Sequence, residues 1–165
     1  MFAKDELANL EKNIHRLRQQ LQSKRDVLVT IAPEEQTRIE QQIADLREKI
    51  AKLERDYWEL LNQQAISVEL TDDEAEPIAV EWVERAGQLA IDPPSDVPAE
   101  VLERVQTVAQ KAADPGQSAA VKVKGMISAL PPFFSLGVEA ELDVAAFLQR
   151  NFPTFCNWAG ALAKK

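Results

Sequence analysis

The sequence predicts a mainly helical α+β protein. An antiparallel coiled-coil hairpin over residues 1–64 precedes a small acidic helical domain over 65–165, which carries a minor two-stranded sheet. Three observations lead there. Two heptad seams fill the first third of the chain, helix start and stop signals recur after it, and two segments alternate apolar with polar residues.

The first seam runs through Leu7, Leu10, Ile14, Leu17, Leu21 and Leu28, with Lys24 in the remaining slot. The second runs through Ile39, Ile43, Leu46, Ile50, Leu53, Tyr57 and Leu60. Steps of three and four between charged and Gln-rich flanks are coiled-coil spacing. The intervening Val27-Leu-Val-Thr-Ile31 is rich in β-branched residues, and Pro33 disfavours helical geometry at Ala32. Pro33, Glu34 and Glu35 suit the first turn of a new helix, so two antiparallel helices are expected rather than one. Pairing Leu21 with Ile39, Leu17 with Ile43, Ile14 with Leu46, Leu10 with Ile50 and Leu7 with Leu53 centres the reversal at Thr30. It also sets Phe2 near Trp58. A shift by one heptad fills every slot too, but it centres the turn inside the second helix, so the first register is the expected one. Ala44, Ala51, Trp58 and Leu61 form a weaker apolar stripe on the second helix. It is open either to the C-terminal part or to a second copy of the hairpin.

Ile66-Ser-Val-Glu-Leu70 alternates and reads as a short strand. Thr71 and Glu74 have capping-box spacing, although Pro77 places the clearer helix start nearer itself. That helix runs to about Ala90 with Ile78, Trp82, Val83, Ala86 and Leu89 inward. After the break at Asp92-Pro-Pro-Ser-Asp96, Val101, Leu102, Val105, Val108 and Ala112 share one helical face. A turn at Asp114-Pro-Gly116 leads to a helix through Val121, Val123, Met126, Ile127 and Leu130, stopped by Pro131-Pro132. Phe134 to Leu142 alternates along its length and reads as a half-buried strand pairing with 66–70. Asp143 is placed to cap a helix containing Phe147 and Leu148, and Pro153 interrupts before Phe155, Trp158 and Leu162.

The net charge of −8 is uneven: residues 1–64 balance to −1 and residues 65–165 to −7. Eleven carboxylates face the single Arg85 between residues 69 and 103, which disfavours nucleic acid and anionic lipid as partners and favours a basic protein surface. Asp72, Asp73 and Glu74 are the candidate contact residues of that segment. No run of about 20 apolar residues suggests a membrane span. The first residues show no secretory signal, and one cysteine suits a reducing compartment, so the expected location is cytoplasmic.

Catalysis needs an acid, a base, a nucleophile or a metal, and none is selected. His15, the sole histidine, follows a seam slot on the exposed side. Cys156 lies among Phe155, Trp158 and Ala159, where a buried structural thiol is expected. No Cys/His spacing suits zinc, and Asp72–Glu76 lacks the ligand order and glycine of a calcium loop. Helix-start electrostatics accounts for those acids without a metal. The five scattered glycines form no phosphate cradle. No catalytic residue, metal or cofactor is therefore expected. Among the C-terminal aromatics, taken as core, Phe133 is the one expected at the surface.

From Leu7, the string Leu-x-x-Leu-Glu-Lys-x-Ile, the Ala32-Pro-Glu-Glu35 turn and Gln42-Ile-Ala-Asp-Leu-Arg-Glu-Lys-Ile50 resemble the coiled-coil hairpins beside effector or sensor domains in bacterial signalling and defence proteins. Those include NACHT-type NTPases and caspase-like or TIR proteins. The tail from Leu130 to Phe155 is similar to segments that follow such hairpins. The resemblance implies a non-enzymatic adaptor that binds protein partners or itself, with no active residues to carry over. The alternative is an acidic inhibitor or mimic occupying a basic site on a nuclease or another target.

Overall fold

Ala32, extended at φ −65° and ψ 144°, separates two long helices. These are α1 (Phe2–Thr30) and α2 (Pro33–Ile66), with Pro33 in the first turn of α2, where its missing N–H is harmless. The β-branched run does not end α1 early, since the helix persists to Thr30. The computed structural model describes residues 2–164 but not the side chains of Phe2 and Glu139. The expected approach of Phe2 to Trp58 lies outside the described residues.

The hairpin is paired beyond both registers weighed from the sequence: Leu10 meets Leu60 and Arg18 reaches Glu54, where the expected register gives Ile50 and Gln42 and a one-heptad shift gives Tyr57 and Lys49. Arg18 Nη2 lies 2.5 Å from Glu54 Oε1, and Leu10 lines one groove with Leu60. In the expected register Arg18 would stand beside Gln42, twelve residues or about 18 Å of helix from Glu54. Ile31 lies between α1 and extended Ala32, so the chain has two non-helical residues in which to reverse before α2 begins. Leu21, Ile39, Ile43, Leu46 and Ile50 form a distal cluster of their own, joined by Ile14, Leu17, Leu28 and Ile31.

Six shorter helices follow: α3 (Asp72–Ile91), α4 (Ala99–Ala112), α5 (Ala119–Ala129), α6 (Pro131–Glu139), α7 (Val144–Asn151) and α8 (Pro153–Ala163). The described residues contain no strand, so the expected two-stranded sheet is wrong and the protein is all-α. Both strand readings fail for physical reasons. Ile66 still belongs to α2, and beyond it Val68 and Leu70 lean on the core without a partner strand to form a ladder. In 134–142 the alternation is incidental. Pro131 and Pro132 start a helix rather than merely stop one, and helical Leu130 joins α5 to α6. Phe133 and Phe134 are thereby both turned inward. Gly137 is required there, since a Cβ would run into Val144 Cγ2 and come within 3.0 Å of the Leu142 carbonyl oxygen. The helix closes with Leu142 N–H donating to Gly137 O and Glu141 N–H to Val138 O. That closure puts Glu141 at φ 59°, a left-handed position usually given to glycine.

Thr71 caps α3 by accepting from Glu74 N–H, so α3 begins at Asp72 and tolerates Pro77 on its exposed side. The main core gathers all six short helices around the proximal half of the hairpin, with Leu7, Leu61 and Ala65 among its members. Trp82 is fully buried, stacks on Phe152 at 3.8 Å and donates from Nε1 to Val105 O at 3.2 Å. Burying a ring of this size while satisfying its N–H makes it the largest anchor of that core.

Candidate functional site

Three features of the molecule are suited to function: the seam that holds the hairpin to the short helices, a groove on their outer side, and the free end of the hairpin. None of the three was legible as a site from composition alone.

The seam is aromatic on one side and ionic on the other. Trp58 lies between Phe134 and Phe155, with ring centroids 6.3 and 5.9 Å away and planes 21° and 13° from its own. Beside it Arg18 bridges Glu54 of α2 and Asp143, which caps α7 by accepting from Ala146 N–H. Burial pushes the Glu54 carboxyl up to about 7, against the pull of Arg18. Burial also raises Asp143, but the Arg18 hydrogen bond and charge outweigh it and hold that group below the usual carboxylate range. Arg18, despite the burial that opposes its charge, is held protonated more firmly than usual by both acids. Farther out, Arg47 pairs with Glu141 at 3.0 Å and Arg55 donates to Ser135 Oγ. The carboxylates and guanidinium groups match one another, so this seam is a structural lock.

The groove lies between α4, α5 and the start of α6 and measures about 870 Å³. Buried Met126 and Phe133 form its floor, while Val121, 53% exposed, supplies apolar surface with Pro132 and Leu136. Gly125 faces open space, where a Cβ would meet nothing within 4 Å. Glu100 and Glu103, with Arg104, mark one end, and Lys111 marks the other, eleven residues or about 17 Å along α4. The turn after α4 returns Lys122 to the Lys111 end.

The stripe foreseen on α2 divides. Leu61 is fully buried, Ala51 and Trp58 pack against the main core, and only Ala44 stays exposed on the distal arm. The chain's own C-terminal helices thus cover most of it. Asp72, Asp73 and Glu74 are exposed, and Asp72 accepts from Ala120 N–H at the start of α5. Glu81 does the same for α8, accepting from Thr154 N–H and Oγ1–H. Phe133 is fully buried, not exposed, because the helix it starts turns both phenylalanines inward. His15 is exposed, and burial, helped by Glu81, pushes the Cys156 thiol up to about 12. Such a thiol is a poor nucleophile near neutral pH. No described helix is long and apolar enough to cross a membrane.

At the free end of the hairpin Val27 and Val29 are 43% and 84% exposed. The sequence showed these residues only as poor helix formers. Arg18 and Glu54 were missed because each merely flanks a seam slot. No protein-family model, curated protein or solved structure matches the chain.

Proposed function

We propose that this chain is a non-enzymatic, self-assembling interaction module, an adaptor of the sort found beside effector or sensor domains in bacterial signalling and defence proteins. The class of system rests on the sequence resemblance of the hairpin. The observation that carries the interaction reading is the distal arm. It has its own apolar cluster, separate from the main core, and it ends in exposed valines. An arm held together internally and locked at its base presents its tip in a fixed place, which lowers the entropic cost of binding.

The alternative, an acidic protein occupying a basic site, has less support. Asp72 and Glu81 are already engaged at the N-termini of α5 and α8, and Asp143 at that of its own α7. Replacing both Val27 and Val29 by Asp in the full chain tests the adaptor reading by sedimentation velocity. The unaltered chain is expected to associate as its concentration rises, and the variant to remain monomeric with an unchanged melting temperature. An unaltered chain that is monomeric throughout would overturn self-assembly.

A further inference from the structure

A cleft of about 330 Å³ lies where the hairpin meets α7 and α8, and its two ends differ in charge. At one end Arg18 donates to Glu54, and Asp143 takes the other side of the guanidinium, so that end is already neutralised. The other end lies seven residues or about 10 Å back along α1, at Glu11. Burial, helped by the Glu11 charge, pushes the Tyr57 hydroxyl there up to about 12, which keeps it protonated. Glu11 is exposed and forms no ion pair among the described residues. His15, one turn farther along α1, does not line the cleft, and Arg18 is the only cation that does. The charge left unanswered is therefore negative.

Between the two ends the walls are apolar, with Ile14 from α1, Leu148 from α7 and Ala159 from α8. Phe134 and Phe155 cover the faces of Trp58, so the indole presents its edge to the cleft. Such an edge packs well on the face of another aromatic ring. Gly160 leaves open space, where a Cβ would meet nothing within 4 Å. At about 30 Å³ for each water-sized group, the cleft has room for on the order of ten non-hydrogen atoms.

We propose that this cleft binds a small primary amine carrying an aromatic ring, with the ring against Ile14, Trp58 and Leu148 and the ammonium beside Glu11 and the Tyr57 oxygen. An acidic head group would meet Glu11 without a free cation to receive it, because two carboxylates already hold Arg18. A neutral head group would leave the Glu11 charge unanswered, so the amine is the preferred form. All four helices contribute walls, so an occupant joins the hairpin to α7 and α8 and stabilises the folded chain. The site is separate from the hairpin tip and does not rest on self-assembly.

Isothermal titration calorimetry of the full chain with 2-phenylethylamine is expected to show one saturable site. Neutral 2-phenylethanol is expected to bind at least about tenfold more weakly, and 3-phenylpropionate more weakly still. Gly160→Leu fills the cleft and is expected to abolish binding of both amine and alcohol. The melting temperature of that variant without ligand is expected to be no lower, because leucine is the better helix former. Glu11→Gln is expected to weaken the amine at least about tenfold and leave the alcohol unchanged. Absence of saturable amine binding below about 10 mM overturns the proposal. A Gly160→Leu chain that binds the amine as well as the unaltered one also overturns it, by placing the amine elsewhere. So does an alcohol that binds as tightly as the amine, since Glu11 then selects nothing.

Discussion

Arg18 and Glu54 meet at 2.5 Å across the hairpin, and this contact marks the register of the two long helices and ties them to the cap of α7 through Asp143. A partly buried pair of this kind gives modest net stability, because desolvation opposes the attraction. Its value is positional: it fixes where the arm leaves the short helices.

Glu54 gives the protein a pH dependence of defined sign. Its folded-state value of about 7 lies above the ordinary 4.5, so its stabilising contribution is complete below 4.5 and is lost as pH rises through 7. The ceiling on that loss is about 3 kcal/mol. Asp143, held low, acts oppositely: its contribution is present above the ordinary carboxylate range and is lost on acidification. Glu54→Gln is expected to flatten the fall in melting temperature between pH 5 and 8 while keeping an acceptor for Arg18. An unchanged slope would show that Glu54 is ionised throughout.

Trp58→Ala removes the ring that Phe134 and Phe155 enclose. A loss of about 3 kcal/mol is expected in chemical denaturation, with the distal cluster of the arm untouched. A cost under about 1 kcal/mol would mean the hairpin is not held through this residue.

The end of α6 offers two substitutions with opposite expected effects. Gly137→Ala forces a Cβ against Val144 and the Leu142 carbonyl, and is expected to cost about 1–3 kcal/mol. Glu141→Gly relieves a left-handed residue at a cost of only one exposed ion pair, and is expected to raise stability by up to about 1 kcal/mol. Thermal melts that moved in the reversed order would contradict the helical end described here.

Leu17→Asp places a charge beside the distal cluster, which includes Ile14, Leu17 and Leu28. The expected result is reduced helicity by circular dichroism, with the near-ultraviolet signal, to which the aromatics of the main core contribute, retained. Unchanged helicity and melting would contradict the coiled-coil packing of the arm.

The seams, the break at Pro33 and the caps at Thr71 and Asp143 were legible because each depends on neighbours within a few residues. The register was not. Heptads repeat, so several pairings bring seam residues together, and the one adopted, with Arg18 reaching Glu54 and Leu10 meeting Leu60, is neither of the two that slot matching offered. The alternation from Phe134 to Leu142 misled because a period of two also admits a short helix that buries Phe133, Phe134 and Gly137 together. Its signal was Pro131-Pro132, which opens a helix as readily as it closes one. The groove was invisible for another reason. It is the gap that α4, α5 and α6 leave between them, and no local pattern encodes a gap.

Solution mass by light scattering after gel filtration, over a concentration series at low and high salt, tests the self-assembly claim most directly. Mass should rise above that of one 18.4 kDa chain with concentration. High salt should leave the association standing, because removal of the exposed valines from water survives screening. A mass fixed at one chain under every condition would contradict it.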